Sequence, residues 1–102
     1  MDIRVLLQQA EGDGCPYCGL TMRSGTQRPP SREHILPKSR GGGDGAINIA
    51  IVCAPCNNDK SDWTLDEFAA RLTTGNDPRA PRVRAFWARW ARWALATAEG
   101  VA

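Results

Sequence analysis

Three features of the sequence predict a small α+β fold. Two Cys-x-x-Cys pairs lie far apart, a short β-branched apolar run leads into the second pair, and helical periodicity marks both ends of the chain. The chain has 102 residues, 42% of them hydrophobic and 24% charged, which suits a single globular domain over 1–102 rather than a disordered segment. A domain of this size buries only roughly 60–70% of the surface its unfolded chain exposes, so a staple would help it. No apolar run reaches the roughly 18 residues of a membrane-spanning helix. The opening MDIRVLLQQAEGDG reads as neither a signal peptide nor a transit peptide. The expected compartment is therefore the reducing cytoplasm, where paired cysteines favour metal over disulfide.

The elements follow in order. Ile3, Leu6, Leu7 and Ala10 share one face of a short N-terminal helix, which Gly12 and Gly14 end. Cys15 to Pro30 is rich in turn formers and predicts a knuckle and an irregular connection. Ser31 to Leu36 and Ile49 to Val52 predict two short strands, joined by a loop over 37–48 that contains Gly41, Gly42, Gly43 and Gly45. Pro55 suits the first turn of a helix over about 54–60 carrying Asn57 and Lys60. Thr64 and Glu67 form a capping box, with Trp63 and Phe68 placed as its hydrophobic staple. Leu65, Phe68, Ala69 and Leu72 then make one apolar face, and Gly75 is the stop signal.

Residues 76–81 read as a linker and 82–98 as a last helix without Gly or Pro. At about 100° per residue, Val83, Phe86, Trp87, Trp90 and Ala94 gather on one side, so its tryptophans are expected mainly in the core, with Trp93 at the edge. Arg82, Arg84, Arg89 and Arg92 point elsewhere, to solvent or to phosphates. The net charge of +2 is too small to imply a nucleic-acid partner by itself.

Two Cys-x-x-Cys knuckles, Cys15/Cys18 and Cys53/Cys56, supply four thiolates for one tetrahedral zinc. A closed all-cysteine shell leaves no position for water, so this zinc would be structural, and its binding energy would become folding energy. Two disulfides or a pair of redox motifs are the competing readings. The missing secretion signal and the missing thioredoxin-like βαβ pattern argue against them.

Between the knuckles lies the one histidine, His34, directly after Glu33. Histidine is the side chain whose ordinary pKa suits a general base toward water at neutral pH. Glu33 offers a hard carboxylate to a divalent cation, and Asn57 a neutral oxygen. Asn58 carries the same amide one residue on. Neighbouring residues of a regular strand face opposite ways, so Glu33 and His34 can share a site only at a strand end or a bulge.

The run Glu33-His34-Ile35, then Pro37, Ser39, Gly41 and Gly42, then Asn48-Ile49, then Cys53-x-x-Cys56-Asn57-x-x-Lys60 resembles the HNH endonucleases that carry a Cys₄ zinc. The resemblance spans about Cys15 to Lys60. It implies a ββα-metal finger over about 15–62, with residues 63–102 as a helical extension. It implies hydrolysis of DNA phosphodiester bonds to 5′-phosphate and 3′-hydroxyl ends, by nicking in a monomer. His34 matches the general base, Glu33 and Asn57 the cation ligands, and Asn48 the residue that pins the loop and holds the histidine. Lys60 matches a basic position near the scissile strand, and Lys38 and Arg40 are candidate phosphate contacts. The chain departs from the family pattern at two positions: Glu33 stands where Asp is commoner, and the third signature position is Asn57 rather than His. The oxygen of Asn57 favours Mg²⁺ or Mn²⁺ over Ni²⁺ or Zn²⁺ as the catalytic ion. A monomer or homodimer on DNA is implied, with the last helix as a possible protein-partner surface and a place in phage genome processing. A junction-cleaving endonuclease and a zinc-dependent DNA-binding module without catalysis are the alternatives.

Overall fold

A computed structural model describes residues 2–96, so the end of the last helix expected at 97–98 lies outside the described residues. The order is α1 (Ile3–Gln9), β1 (Pro30–His34), β2 (Ile49–Cys53), α2 (Ala54–Lys60), α3 (Leu65–Thr74) and α4 (Ala80–Ala96). Among the described residues no helix is long and apolar enough to cross a membrane.

The two strands form an antiparallel ribbon in which Pro30 pairs with Cys53 and His34 with Ile49. The extended backbone of Cys53 opens α2 without a loop, with proline in the first helical turn as the sequence predicts. This is the ββα arrangement that the resemblance implies. β1 stops at His34 rather than Leu36, because Asn48 takes over the hydrogen bonds beyond it: Ile35 N donates to Asn48 O at 2.9 Å, and Leu36 N to Asn48 Oδ1 at 2.8 Å.

The helical extension begins with the expected capping box. Thr64 N donates to Glu67 Oε1 at 2.9 Å, and Glu67 N to Thr64 Oγ1 at 3.4 Å. Leu65, Phe68, Ala69 and Leu72 are all buried, as the periodicity predicts. Trp63 departs from the staple: it is 37% exposed, with the Arg71 guanidinium 4.4 Å above its ring. α4 starts two residues earlier than expected, because Pro81 fits a first helical turn, where no backbone donor is required.

Trp87 of α4 corrects the sequence reading. Val83 and Ala94 are buried and Phe86 and Trp90 pack on the core, but Trp87 is 40% and Trp93 51% exposed. Arg82, Arg84, Arg89 and Arg92 are exposed, as expected.

Tyr17, fully buried, is the hub of the core. Its ring meets Phe68 of α3 at 5.9 Å and Phe86 of α4 edge-on at 5.4 Å. The first Cys-x-x-Cys turn, which carries it, is thereby clamped between the ribbon and the helical extension.

Candidate active site

The four cysteines converge as predicted. Cys15 and Cys18 come from the first knuckle, Cys53 from the end of β2 and Cys56 from the first turn of α2, and their sulfurs all lie within 4.8 Å of one another. Zn–S bonds of about 2.3 Å place tetrahedral sulfurs about 3.8 Å apart, and Cys18 and Cys53 stand 3.7 Å apart. The cluster therefore fits a zinc ion.

The surroundings suit thiolates. The backbone N–H groups of Tyr17 and Cys53 donate to Cys15 Sγ at 3.4 and 3.3 Å. A hydrogen bond with Cys56 holds the Cys15 thiol down at about 4, and the same contact, with burial, pushes Cys56 up. Packed thiols cannot all ionise without a compensating cation, which is what a metal supplies. Two arginines add charge: Arg28 Nη1 donates to Cys53 Sγ at 3.5 Å and Cys18 Sγ at 3.8 Å, and Arg79 Nη1 to Cys56 Sγ at 3.6 Å. Arg79 also pairs with Asp77 and Asp59, each at 2.9 Å, so its charge is engaged within the fold.

At the other end of the ribbon, Glu33, His34 and Asn57 line one open pocket of about 250 Å³, together with Pro37, Lys38 and Ser39. His34 is the last residue of β1, so a strand end rather than a bulge lets it share this space with Glu33. Asn57 reaches the pocket from α2, whereas Asn58 is exposed and outside it.

Asn57 Nδ2 donates to Ser31 Oγ at 2.7 Å and Arg32 O at 2.8 Å. Both amide hydrogens are thus used on β1. Asn48 is buried and spans the loop, its Nδ2 donating to Leu36 O at 3.0 Å and Gly43 O at 2.9 Å. Gly42 is required here for space: a Cβ on it would sit 1.8 Å from Leu36 O and 2.8 Å from Asn48 Nδ2.

His34 Nε2 and Asp44 Oδ1 are 2.8 Å apart. The hydrogen bond to His34, with Lys38 at 3.3 Å, holds the Asp44 carboxyl below its ordinary range, so Asp44 accepts and Nε2 donates. In a neutral imidazole that arrangement leaves the lone pair on Nδ1. The sequence reading missed Asp44; its one signal was an acid set between Gly43 and Gly45 in the loop after the histidine.

Lys60 overturns its expected role. Its side chain is fully buried, and Nζ donates to Glu33 Oε1 at 2.9 Å and to His34 O at 3.0 Å. A group with no exposed surface does not contact DNA. Lys60 instead neutralises Glu33 and ties α2 to the strand end. Tyr17 Oη donates to the other oxygen, Oε2, at 2.5 Å. Burial pushes the Glu33 carboxyl up, against the pull of Lys60 and Tyr17. Burial and the Glu33 charge push the Tyr17 phenol well up, so it remains a donor. Lys38 is 62% exposed beside the pocket, whereas Arg40 is engaged by Glu67 through contacts of 3.1 and 3.4 Å.

The family model described as HNH endonuclease matches residues 15–73. The chain belongs to the HNH endonuclease family. The match runs beyond Lys60 and takes in most of α3, further than the motif residues alone indicate. No curated protein and no solved structure matches the chain. HNH endonucleases are nucleases that use divalent metals, which implies a nucleic-acid substrate for this member. Its donor set near His34 fits a hard cation. Asn57 Oδ1 accepts no hydrogen bond among the described residues, and each Glu33 oxygen has one donor and keeps a lone pair.

Proposed function

We propose that this protein is a metal-dependent endonuclease that hydrolyses DNA phosphodiester bonds and leaves 5′-phosphate and 3′-hydroxyl ends. One observation carries the reading. The single histidine, a carboxylate and an amide oxygen line one open pocket at the opposite end of the ribbon from a cysteine cluster fit for zinc, in a chain of the HNH family. Residues 1–102 are read as one nuclease unit, with the ribbon and α2 carrying the chemistry and α3 and α4 supporting it. The cysteine-bound zinc is structural in this reading.

His34 is the general base. With Nε2–H given to Asp44, Nδ1 takes the proton of the attacking water. Asp44 fixes the ring's tautomer and tilt, and Asn48 fixes the loop behind it. Glu33 and Asn57 hold the divalent cation, Mg²⁺ or Mn²⁺ by the hardness of their oxygens. When bound, that cation supplies Lewis acidity to the phosphate and the leaving oxygen. Lys38 stands at the pocket rim, where a DNA phosphate would meet it. One such pocket cuts one strand, so a monomer nicks. Phage genome processing is the setting that the family resemblance suggests.

Supercoiled plasmid incubated with zinc-loaded protein tests the reading. Nicking is expected only with added Mg²⁺ or Mn²⁺, and His34→Ala should lower its rate by about 10²–10⁴ with zinc content unchanged. Full activity in His34→Ala would sink the mechanism. A plasmid shifted on a gel but never cut, under any cation, would favour a binding module instead.

A further inference from the structure

Tyr17 belongs to two sites at once. It sits between Cys15 and Cys18 in the zinc knuckle, and its hydroxyl ends on Glu33. Both side chains are buried, at 0% and 2% exposure, and the ring is wedged between Phe68 and Phe86. A glutamate has three side-chain torsions to fix before its oxygens face a cation. Here Lys60 grips one oxygen and Tyr17 the other. Any tilt of the knuckle would move the phenol, and with it the carboxylate.

We propose that Tyr17 is a positioning residue for the catalytic cation: held by the zinc knuckle, its hydroxyl fixes the Glu33 carboxylate in the orientation from which it ligates the ion. Zinc binding at one end of the ribbon thereby presets the cation site at the other. This inference rests on the reading of Glu33 as a cation ligand. Removing a hydrogen-bond partner of a metal ligand typically costs about 10–100-fold in metal affinity. Tyr17→Phe keeps the ring and its packing and deletes only the donor.

The test is Mn²⁺ binding to the zinc-loaded chain without DNA, by titration calorimetry, for wild type, Tyr17→Phe and Glu33→Ala. The expected result is an affinity at least about tenfold weaker in Tyr17→Phe, with zinc content and circular dichroism spectrum close to wild type, and none in Glu33→Ala. Equal affinity in wild type and Tyr17→Phe, with Glu33→Ala still unable to bind, would overturn the role of Tyr17 and leave Glu33 as the ligand. Binding by Glu33→Ala as tight as wild type, or no binding by wild type, would overturn both. Should Tyr17→Phe lose its zinc or fail to fold, a second measurement decides. Tyr17 is the one tyrosine in the chain, so fluorotyrosine labelling reports on it alone. Its ¹⁹F resonance should move on Mg²⁺ addition and saturate with the binding curve. An unmoved resonance under saturating Mg²⁺ would overturn the proposal.

Discussion

The two ends of β2 surround different kinds of site. At its C-terminal end Cys53 joins three other thiols in a cluster that is largely buried and receives N–H donors from Tyr17, Arg28 and Arg79. At its N-terminal end Ile49 pairs with His34 beside an open pocket whose donors are oxygens and one imidazole. Only about 13 Å of strand separates them. The first end can be saturated by its own ligands and has no place for substrate. The second leaves Asn57 Oδ1 and His34 Nδ1 without a hydrogen-bond partner among the described residues. In the proposed mechanism, closure makes a staple and incomplete closure a reaction site.

Breaking the closed end should have the largest effect. Structural zinc contributes about 10–16 kcal/mol to small zinc domains at neutral pH, comparable to or above the whole stability of a domain this size. Cys53→Ser, or chelation of the zinc, should therefore abolish cooperative melting in circular dichroism and nicking together. A cooperative transition surviving full zinc removal would show that the core of Tyr17, Phe68 and Val83 suffices alone, and the comparison between the ends would lose its basis.

Asn48→Ala strikes the open end through its scaffold. Three side-chain hydrogen bonds disappear, leaving Leu36 N, Leu36 O and Gly43 O without those partners. We expect a loss of roughly 2–4 kcal/mol in stability, read by urea unfolding, and slower nicking at saturating cation. Zinc content should stay at one ion per chain. A variant as stable as wild type would mean that water replaces the amide and the loop needs no pin.

These contrasts also show what the sequence could disclose. The cysteine ligands, the two strands, α2 and the capped α3 were legible because each rests on local spacing: Cys-x-x-Cys, a β-branched run, a proline in a first turn, a Thr-x-x-Glu box. The reading failed where a side chain's surroundings come from distant segments. Lys60 looks like any helix lysine until β1 supplies Glu33 and the His34 carbonyl. Tyr17 looks like knuckle filler until its hydroxyl meets a residue sixteen positions away. Trp87 lies outward although the wheel sets it on the apolar face of α4.

Asp44 is a smaller contribution to the open end. The carboxylate is mostly exposed, so water weakens its grip on His34. Asp44→Asn keeps the size but allows the amide to donate to Nε2, which favours the wrong tautomer. Nicking should fall by roughly tenfold, well short of the loss in His34→Ala, with melting unchanged. A loss as large as that of His34→Ala would promote Asp44 from orienting the base to sharing its function.

The smallest effects separate two cations that the sequence treats alike. Lys38 and Arg40 lie on the same loop, and both were candidates for phosphate contact. Lys38 is 62% exposed beside the pocket, and its ammonium meets Asp44 at 3.3 Å, a contact that a DNA phosphate can replace. Arg40 makes a two-pronged pair with Glu67, whose carboxyl is held down at about 2, first by the Thr64 backbone N–H and then by Arg40 itself. Arg40 is thus part of the clamp between the loop and α3, and leaving that clamp for a phosphate forfeits a matched geometry. Binding of a catalytically silent His34→Ala background to duplex DNA should show the split. Lys38→Ala should reduce the slope of log affinity against log salt by about 1. Arg40→Ala should change that slope less and lower the melting midpoint slightly instead. Equal slope changes for the two would place Arg40 on the DNA as well, and the clamp on α3 would then be a contact that substrate breaks.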